Sequence, residues 1–211
     1  MSLSHSSIKL YEQCPAKYKF IRIMHLKEPS GDAAERGKQI HAELEKSLIG
    51  LTLLSPELTY WHDYVELLKS KKVQPELELG IKRDWSPCSF SDPDAWLRGI
   101  LDIFTIDGTT AYIADWKTGK ERYYEEQLKL YAALVLAAYP EVQTVNLDIV
   151  YVDLKKTQSY DVITRKEFPS LKLWIDNRIY RIEKDTIFAP RPEYGCKWCH
   201  FRKDNGGPCK W

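Results

Sequence analysis

The sequence lacks the long apolar runs that would place a chain in a membrane. Its most apolar stretch, LKLYAALVLAAY at residues 128–139, is shorter than the ~20 residues of a transmembrane helix. The opening residues MSLSHSSIKLYEQ lack the apolar core of a signal peptide. We therefore expect a soluble, cytoplasmic protein with no membrane partner.

An excess of charge of either sign is also missing. The 31 lysine and arginine residues balance 30 aspartate and glutamate residues, which gives a formal net charge of +1. Such a chain has no global attraction for nucleic acid. An electrostatic partner must therefore be bound by local patches, and residues 1–28 and 191–211 carry an excess of lysine and arginine.

Repeats, low-complexity tracts and Gly/Ser linkers are absent from the 211 residues. A chain of this length can bury one sizeable core. We predict a single domain over residues 1–211. It divides into a helical N-terminal part (1–72), a central part that contains the sheet (73–168), and a helix with a cysteine-rich tail (169–211).

Hydrophobic periodicity predicts an α/β fold with a mixed central sheet flanked by helices. From Gln74 the period changes to two, and three predicted strands form a meander with a turn at Asp107-Gly108. The predicted helices lie at about residues 6–23, 32–49, 56–71, 121–139 and 169–184, and two further strands at 144–154 and 158–168.

Two strands of the meander carry an aspartate inside an apolar run, Asp102 in GILDIF and Asp115 in YIADWKTG. A connecting loop of two or four residues would put both carboxylates on one face, whereas a loop of three would separate them. Neighbouring carboxylates repel unless a cation lies between them, and oxygen ligands favour Mg²⁺ or Mn²⁺. Lys117 could then orient a water molecule. The alternative is an ordinary ion pair on half-exposed strands.

Two helical stripes add further polar groups. Gly37 and His41 share the apolar face of a predicted helix, where glycine costs about 1 kcal/mol relative to alanine, so we expect a close approach to its backbone. His41 is either a neutral nitrogen ligand for the same metal or a core histidine. Gln127 and Tyr131 are i,i+4 neighbours on another apolar face, where a buried amide and phenol need polar partners.

Four short motifs follow one another along the chain: ERGKQIHAEL (G-x-x-x-H), GILD, IADWKTG (D-x-K-T-G) and QLKLY (Q-x-x-x-Y). Together they resemble the motifs of RecB-type nucleases in the PD-(D/E)XK superfamily, and the opening LSHSSIKLYEQCPAKYKF is similar to the first segment of those domains. The resemblance implies a PD-(D/E)XK nuclease core and a Mg²⁺- or Mn²⁺-dependent DNA exonuclease. Its expected substrate is a single-stranded DNA end, cleaved by phosphodiester hydrolysis.

The same resemblance implies roles for individual residues. The implied metal ligands are His41, Asp102, Asp115 and the backbone carbonyl of Trp116. The implied catalytic residues are Asp102, Asp115, Lys117, Gln127 and Tyr131. Members of the family often use a further glutamate on the preceding strand; Glu76 and Glu78 both qualify, with a weak preference for Glu78.

The five cysteines are an odd number, which argues against a secreted disulfide framework. Cys196, Cys199 and Cys209 form the pattern C-x₂-C-x₉-C, and Cys14 could complete a four-thiolate site. The spacing leaves open a zinc ion, an iron–sulfur cluster and unliganded cysteines. Cys88 has no partner in this scheme, and we expect a free thiol.

One cysteine before the nuclease motifs and three after them resemble the iron–sulfur branch of RecB-type nucleases, which includes the AddB nuclease domain and CRISPR-associated exonucleases. The resemblance implies a 4Fe-4S cluster that joins the two ends of the domain. It also implies protein partners in repair, recombination or CRISPR adaptation, in the cytosol of a prokaryote or a phage host. The alternatives are a DNA-binding or helicase-partner module with a vestigial nuclease site, and a CRISPR-adaptation nuclease that works in a complex.

Overall fold

The computed structural model describes residues 2–192 and 194–211. Residues 1 and 193, which belong to the predicted N-terminal part and tail, lie outside the described residues. The chain forms two compact units. The sheet unit comprises Asp32–Lys172 with a short N-terminal stretch, and the terminal unit comprises Leu3–Gly31 and Leu173–Trp211. The organisation as one domain stays a prediction.

The elements confirm the predicted α/β class, in which a mixed sheet is flanked by helices. The α-helices are α1 (His5–Gln13), α2 (Pro15–Tyr18), α3 (Asp32–Leu48), α4 (His62–Ser70), α5 (Glu125–Ala138) and α6 (Phe168–Lys184). The strands are β1 (Gln74–Ile81), β2 (Pro87–Cys88), β3 (Leu97–Asp107), β4 (Thr110–Lys117), β5 (Thr144–Tyr151) and β6 (Lys156–Thr164). A π-helix spans Lys19–Ile23, and 3₁₀ helices span Pro56–Trp61, Arg165–Glu167, Tyr194–Trp198 and Lys203–Asn205.

The strands form one six-stranded sheet in the order β2-β1-β3-β4-β5-β6. Neighbours are antiparallel except β4 and β5, which are parallel and are connected through α5. The turn between β3 and β4 has two residues, 108 and 109, because Asp107 pairs with Thr110. The turn lies one residue later than the predicted Asp107-Gly108, but its even length confirms that the positions of Asp102 and Asp115 share one face. The register puts these two positions across from each other.

Helices cover both faces of the sheet. On one face, Leu44 of α3 and Val65 of α4 belong to a buried cluster with Trp116 of β4. On the other face, α5 approaches β3 so closely that a Cβ atom on Gly99 would lie 2.5 Å from Leu134 Cδ1. Because helices cover both faces of the sheet, most residues of β4 and β5 are apolar.

Helix α5 begins later than its sequence pattern predicts, at Glu125 instead of Glu121. The preceding residues form an irregular segment that side chains of the β5–β6 hairpin contact. Lys156 Nζ pairs with Glu121 at 3.1 Å, and Tyr151 Oη donates a hydrogen bond to the carbonyl of Arg122 at 2.9 Å.

The terminal unit has its own aromatic core. The rings of Tyr18 and Phe188 stack with centroids 6.1 Å apart, and Tyr11 meets both rings edge-on. Arg178 Nε of α6 donates a hydrogen bond to Glu12 Oε1 of α1 at 2.7 Å. In the described part of the chain, no helix is both long and apolar enough to cross a membrane.

Candidate active site

A cleft of about 540 Å³ opens in the sheet unit, lined by residues of α3, β1, β3, β4 and α5. Acidic, basic and amide side chains that lie far apart in the sequence meet here. The predicted site residues among them are His41, Asp102, Asp115, Lys117, Gln127 and Tyr131, and Glu76 joins them. The side chains of the implied catalytic residues therefore lie in one cleft.

Asp102 lies just beyond the paired part of the β3–β4 hairpin, whose last pair is Ile103 with Ala114. The backbone N–H of Trp116 donates a hydrogen bond to Asp102 Oδ2 at 2.8 Å. Nδ1 of His41 lies 3.3 Å from the same oxygen. Burial is the largest single effect and lowers the pKa of His41, but the hydrogen bond to Asp102 and the negative charges of Asp102 and Asp115 together outweigh it, so the net shift is upward.

Asp115 is buried, with 1% of its surface exposed. Its Oδ1 accepts a hydrogen bond from Gln127 Nε2 at 2.8 Å, and its Oδ2 forms an ion pair with the Lys117 ammonium group. Among the described residues, no donor makes a hydrogen bond of regular geometry to Oδ2. Burial raises the pKa of Asp115 to about 6, although the Lys117 charge opposes the rise. One oxygen of this carboxylate is therefore oriented by an amide, and the other faces a cation.

Lys117 is held in its charged form. Burial lowers its pKa, but the charges of Asp115 and Asp102 outweigh burial and raise the pKa above the ordinary lysine value. Its Nζ also lies 4.9 Å from the centroid of the Tyr124 ring. An ammonium group in this position can donate hydrogen bonds and stabilise negative charge.

Glu76 completes a potential metal site. The β1–β3 register places it across from Asp102. It has φ of +47°, a conformation that is uncommon for a residue other than glycine and often marks a functional site. Burial, followed by the negative charge of Asp102, raises the pKa of Glu76 to about 6. One ligand atom each from His41, Glu76 and Asp102 lies within 4.8 Å of the others.

The structure brings Glu76 rather than Glu78 into the cleft, and the metal-binding role of either glutamate stays a prediction. Glu78 pairs with Ile100 and is exposed, whereas Glu76 lines the cleft. Alternation allows both glutamates on one face, and only the register with β3 tells which one lies beside Asp102.

Gln127 and Tyr131 find the polar partners that their burial requires. Gln127 Nε2 donates hydrogen bonds to Asp115 Oδ1 at 2.8 Å and to Tyr131 Oη at 2.9 Å. The expected close approach at Gly37 is also confirmed, because a Cβ atom there would lie 3.2 Å from Thr118 Oγ1. The contact brings α3 against the residue that follows Lys117.

Trp116 separates Asp115 from Lys117 and places its indole on the opposite face of the sheet. The ring packs edge-on against Trp61 and Tyr64, with centroids 6.2 and 5.8 Å away. The role of its backbone carbonyl as a metal ligand stays a prediction.

The donor set fits a hard divalent cation. The carboxylate oxygens of Glu76 and Asp102 with the one imidazole nitrogen of His41 suit Mg²⁺ or Mn²⁺. Within the described residues, His41, Glu76 and Asp102 are the one group of three such side chains with ligand atoms this close. In the part of the chain that the structure describes, the cysteines are free and partly buried and form no group of that compactness.

The sequence matches the family profile of the PD-(D/E)XK nuclease superfamily over residues 2–59 and 51–203. The chain belongs to this superfamily. No curated protein matches it. A protein from Eubacterium rectale named as a candidate exonuclease is similar in fold, with 10% identity, a TM-score of 0.57, and coverage of 97% of this chain and 88% of that one. The protein SSO0001 is 17% identical over 95% of this chain and 83% of its own, with a TM-score of 0.48.

Proposed function

We propose that this PD-(D/E)XK protein is a Mg²⁺- or Mn²⁺-dependent DNA exonuclease that hydrolyses phosphodiester bonds at single-stranded ends. The observation that carries the proposal is the convergence of two aspartates, a glutamate, a histidine and a charged lysine in one cleft. The name of the similar E. rectale protein agrees with exonuclease activity.

The metal would be held by His41, Glu76, Asp102 and Asp115, with the Trp116 carbonyl as a further ligand. When bound, it supplies a Lewis acid that polarises the scissile phosphate. Lys117, fixed by its ion pair, donates a hydrogen bond to a phosphate oxygen or orients the attacking water.

Gln127 acts on the reacting atoms only through Asp115. Its amide fixes one oxygen of Asp115 and so leaves the other oxygen directed toward Lys117 and the cleft. Tyr131 in turn accepts a hydrogen bond from Gln127 and holds the amide in place.

Substrate topology tests this proposal. The protein is offered end-labelled linear single-stranded DNA, the same DNA circularised, and linear duplex DNA, each with Mn²⁺ or with EDTA. We expect Mn²⁺-dependent loss of linear single strands and survival of circles. Cleavage of circles would identify an endonuclease, and tight binding of DNA without cleavage by any divalent cation would identify a binding module with a vestigial site.

A 4Fe-4S cluster bound by the cysteines is the second part of the proposal. The tail folds back on itself, because Cys209 N donates a hydrogen bond to the Phe201 carbonyl at 2.9 Å. This turn returns Cys209 to the neighbourhood of Cys199 despite the nine residues between them. Gly207 permits it, since a Cβ atom there would lie 2.3 Å from the Phe201 backbone.

The N-terminal cysteine belongs to the same unit as the other three. Cys14 lies between α1 and α2, and Phe20, shortly after it, contacts the Phe201 ring with centroids 5.5 Å apart. The four sulfurs would bind different irons of one cluster, so they need not be as close together as the ligands of a single zinc ion.

A further inference from the structure

The carboxylate of Asp153, in the turn between β5 and β6, binds two other segments of the sheet unit. Arg36 of α3 donates from Nη1 to Oδ2 at 3.1 Å and from Nη2 to Oδ1 at 2.9 Å. The backbone N–H of Gly119 donates to Oδ2 at 2.5 Å. One side chain therefore connects helix α3 with the segment that follows Lys117.

One of these segments carries His41 of the proposed nuclease site, and the other follows Lys117. Arg36 precedes His41 on α3, and Gly119 lies two residues after Lys117. They also touch directly, at the contact between Gly37 and Thr118 described above. The position of Asp153 thus bears on the distance between the imidazole and the ammonium group.

The segment after Lys117 needs such support because it has no regular secondary structure until α5 begins. Gly119 has φ of +82°, a turn conformation that glycine adopts without strain. The hydrogen bonds of Arg36 and Gly119 lower the pKa of Asp153, so the carboxylate is charged at neutral pH. A bidentate guanidinium pair of this kind fixes orientation as well as distance.

We infer that Asp153 is a positioning residue of the proposed nuclease, which sets the distance between His41 and Lys117 by binding Arg36 and Gly119 at once. The inference rests on the proposed function. Side chains of Arg36 and Asp153 are 43% and 27% exposed, so their pair adds little to stability. Misplacement of catalytic groups by an ångström, in contrast, reduces the rate by about a hundredfold.

The test compares Asp153→Ala, Arg36→Ala and the double variant with Asp161→Ala, which removes an exposed aspartate from β6 of the same hairpin. We expect kcat on single-stranded DNA to fall roughly tenfold to a hundredfold in the first three, with KM and Tm close to those of Asp161→Ala. Arg36 also forms an ion pair with Glu57, which Arg36→Ala removes and Asp153→Ala keeps. Because both substitutions break the link between α3 and the segment after Lys117, their effects on kcat should be clearly less than additive in the double variant.

Asp153→Asn and Arg36→Lys are the conservative variants. The asparagine oxygen still accepts from the Gly119 N–H, so Asp153→Asn should recover part of the lost kcat. If Asp153→Ala does not fold, Asp153→Asn tests the positioning role instead. A kcat of Asp153→Asn equal to that of the wild type would then overturn the inference. A kcat for Asp153→Ala equal to that of Asp161→Ala, or additive effects in the double variant, would overturn it too.

Mn²⁺ affinity separates this inference from the proposed function. If the wild type binds Mn²⁺ but cleaves no DNA, the nuclease proposal fails, and calorimetric titration of Mn²⁺ decides the inference. A Kd weakened about tenfold by Asp153→Ala, but unchanged by Asp161→Ala, supports a positioning role. Equal Kd values for the two variants contradict it.

Discussion

Asp102 accepts a hydrogen bond from the backbone N–H of Trp116, so the aspartate of one strand is fixed to the strand that carries Asp115 and Lys117. The bond is made just where regular pairing of the two strands ends. It holds like-charged carboxylates near each other, with Lys117 as a neighbouring cation. A divalent cation would offset the remaining repulsion.

Replacing either Asp115 or Lys117 should abolish cleavage. We expect Asp115→Asn and Lys117→Ala to lower the cleavage rate at least about a hundredfold, because the first removes the charge of a proposed metal ligand and the second removes the cation proposed to bind the phosphate or the attacking water. Asp107→Asn, an exposed aspartate in the same hairpin, serves as the matched control. Full activity of a folded Lys117→Ala protein would refute the mechanism.

The two glutamates of β1 should differ in metal binding. Glu76→Gln removes a ligand carboxylate and should weaken Mn²⁺ binding at least about tenfold, whereas Glu78→Gln removes an exposed charge and should leave the Kd nearly unchanged. Calorimetric titration measures both. A larger loss of Mn²⁺ affinity in Glu78→Gln than in Glu76→Gln would favour Glu78 as the ligand.

Gln127 and Tyr131 should contribute unequally to stability. Gln127→Leu leaves the buried Asp115 Oδ1 without its donor, and the free energy of unfolding should fall by about 1–3 kcal/mol. Tyr131→Phe removes a hydroxyl but keeps the bond between Gln127 and Asp115, so its cost should be about 1 kcal/mol. Urea denaturation of both variants gives the comparison, and a larger loss for Tyr131→Phe would contradict the assignment.

The contact at Gly37 can be measured with a double-mutant cycle. Alanine is favoured over glycine inside a helix by about 1 kcal/mol, but in this protein its Cβ would press on Thr118 Oγ1. Gly37→Ala should therefore stabilise the Thr118→Ala background by about 1 kcal/mol and the wild type by clearly less. Equal stabilisation in both backgrounds would mean that Thr118 moves away freely.

The cysteine proposal makes a prediction of its own. Anaerobically purified wild type should be brown and contain about four iron and four sulfide per chain. Cys199→Ala should lose the iron and lower Tm, whereas Cys88→Ala, at the edge strand β2, should keep both. A colourless protein that contains zinc would rule out the iron–sulfur cluster and leave the nuclease proposal intact.

Much of the fold follows from patterns within single segments. The period-two runs and the short turn predict the β1-β3-β4 meander, and a loop of even length predicts that Asp102 and Asp115 meet. The choice between Glu76 and Glu78 depends on the register with a distant strand. Asp153 gives no local signal at all, because its partners Arg36 and Gly119 are brought to it only by the completed sheet.

The two edge strands of the sheet differ in length, but both have features that disfavour pairing with a further strand. At one edge β2 has only two residues and begins with Pro87, which has no backbone N–H to donate. At the other edge β6 carries Lys156 and Asp161 among exposed polar residues. Short, proline-bearing or charged edges resist pairing with a foreign strand. The edges of the sheet are therefore poorly suited to self-association into fibrils or to capture of an extended peptide.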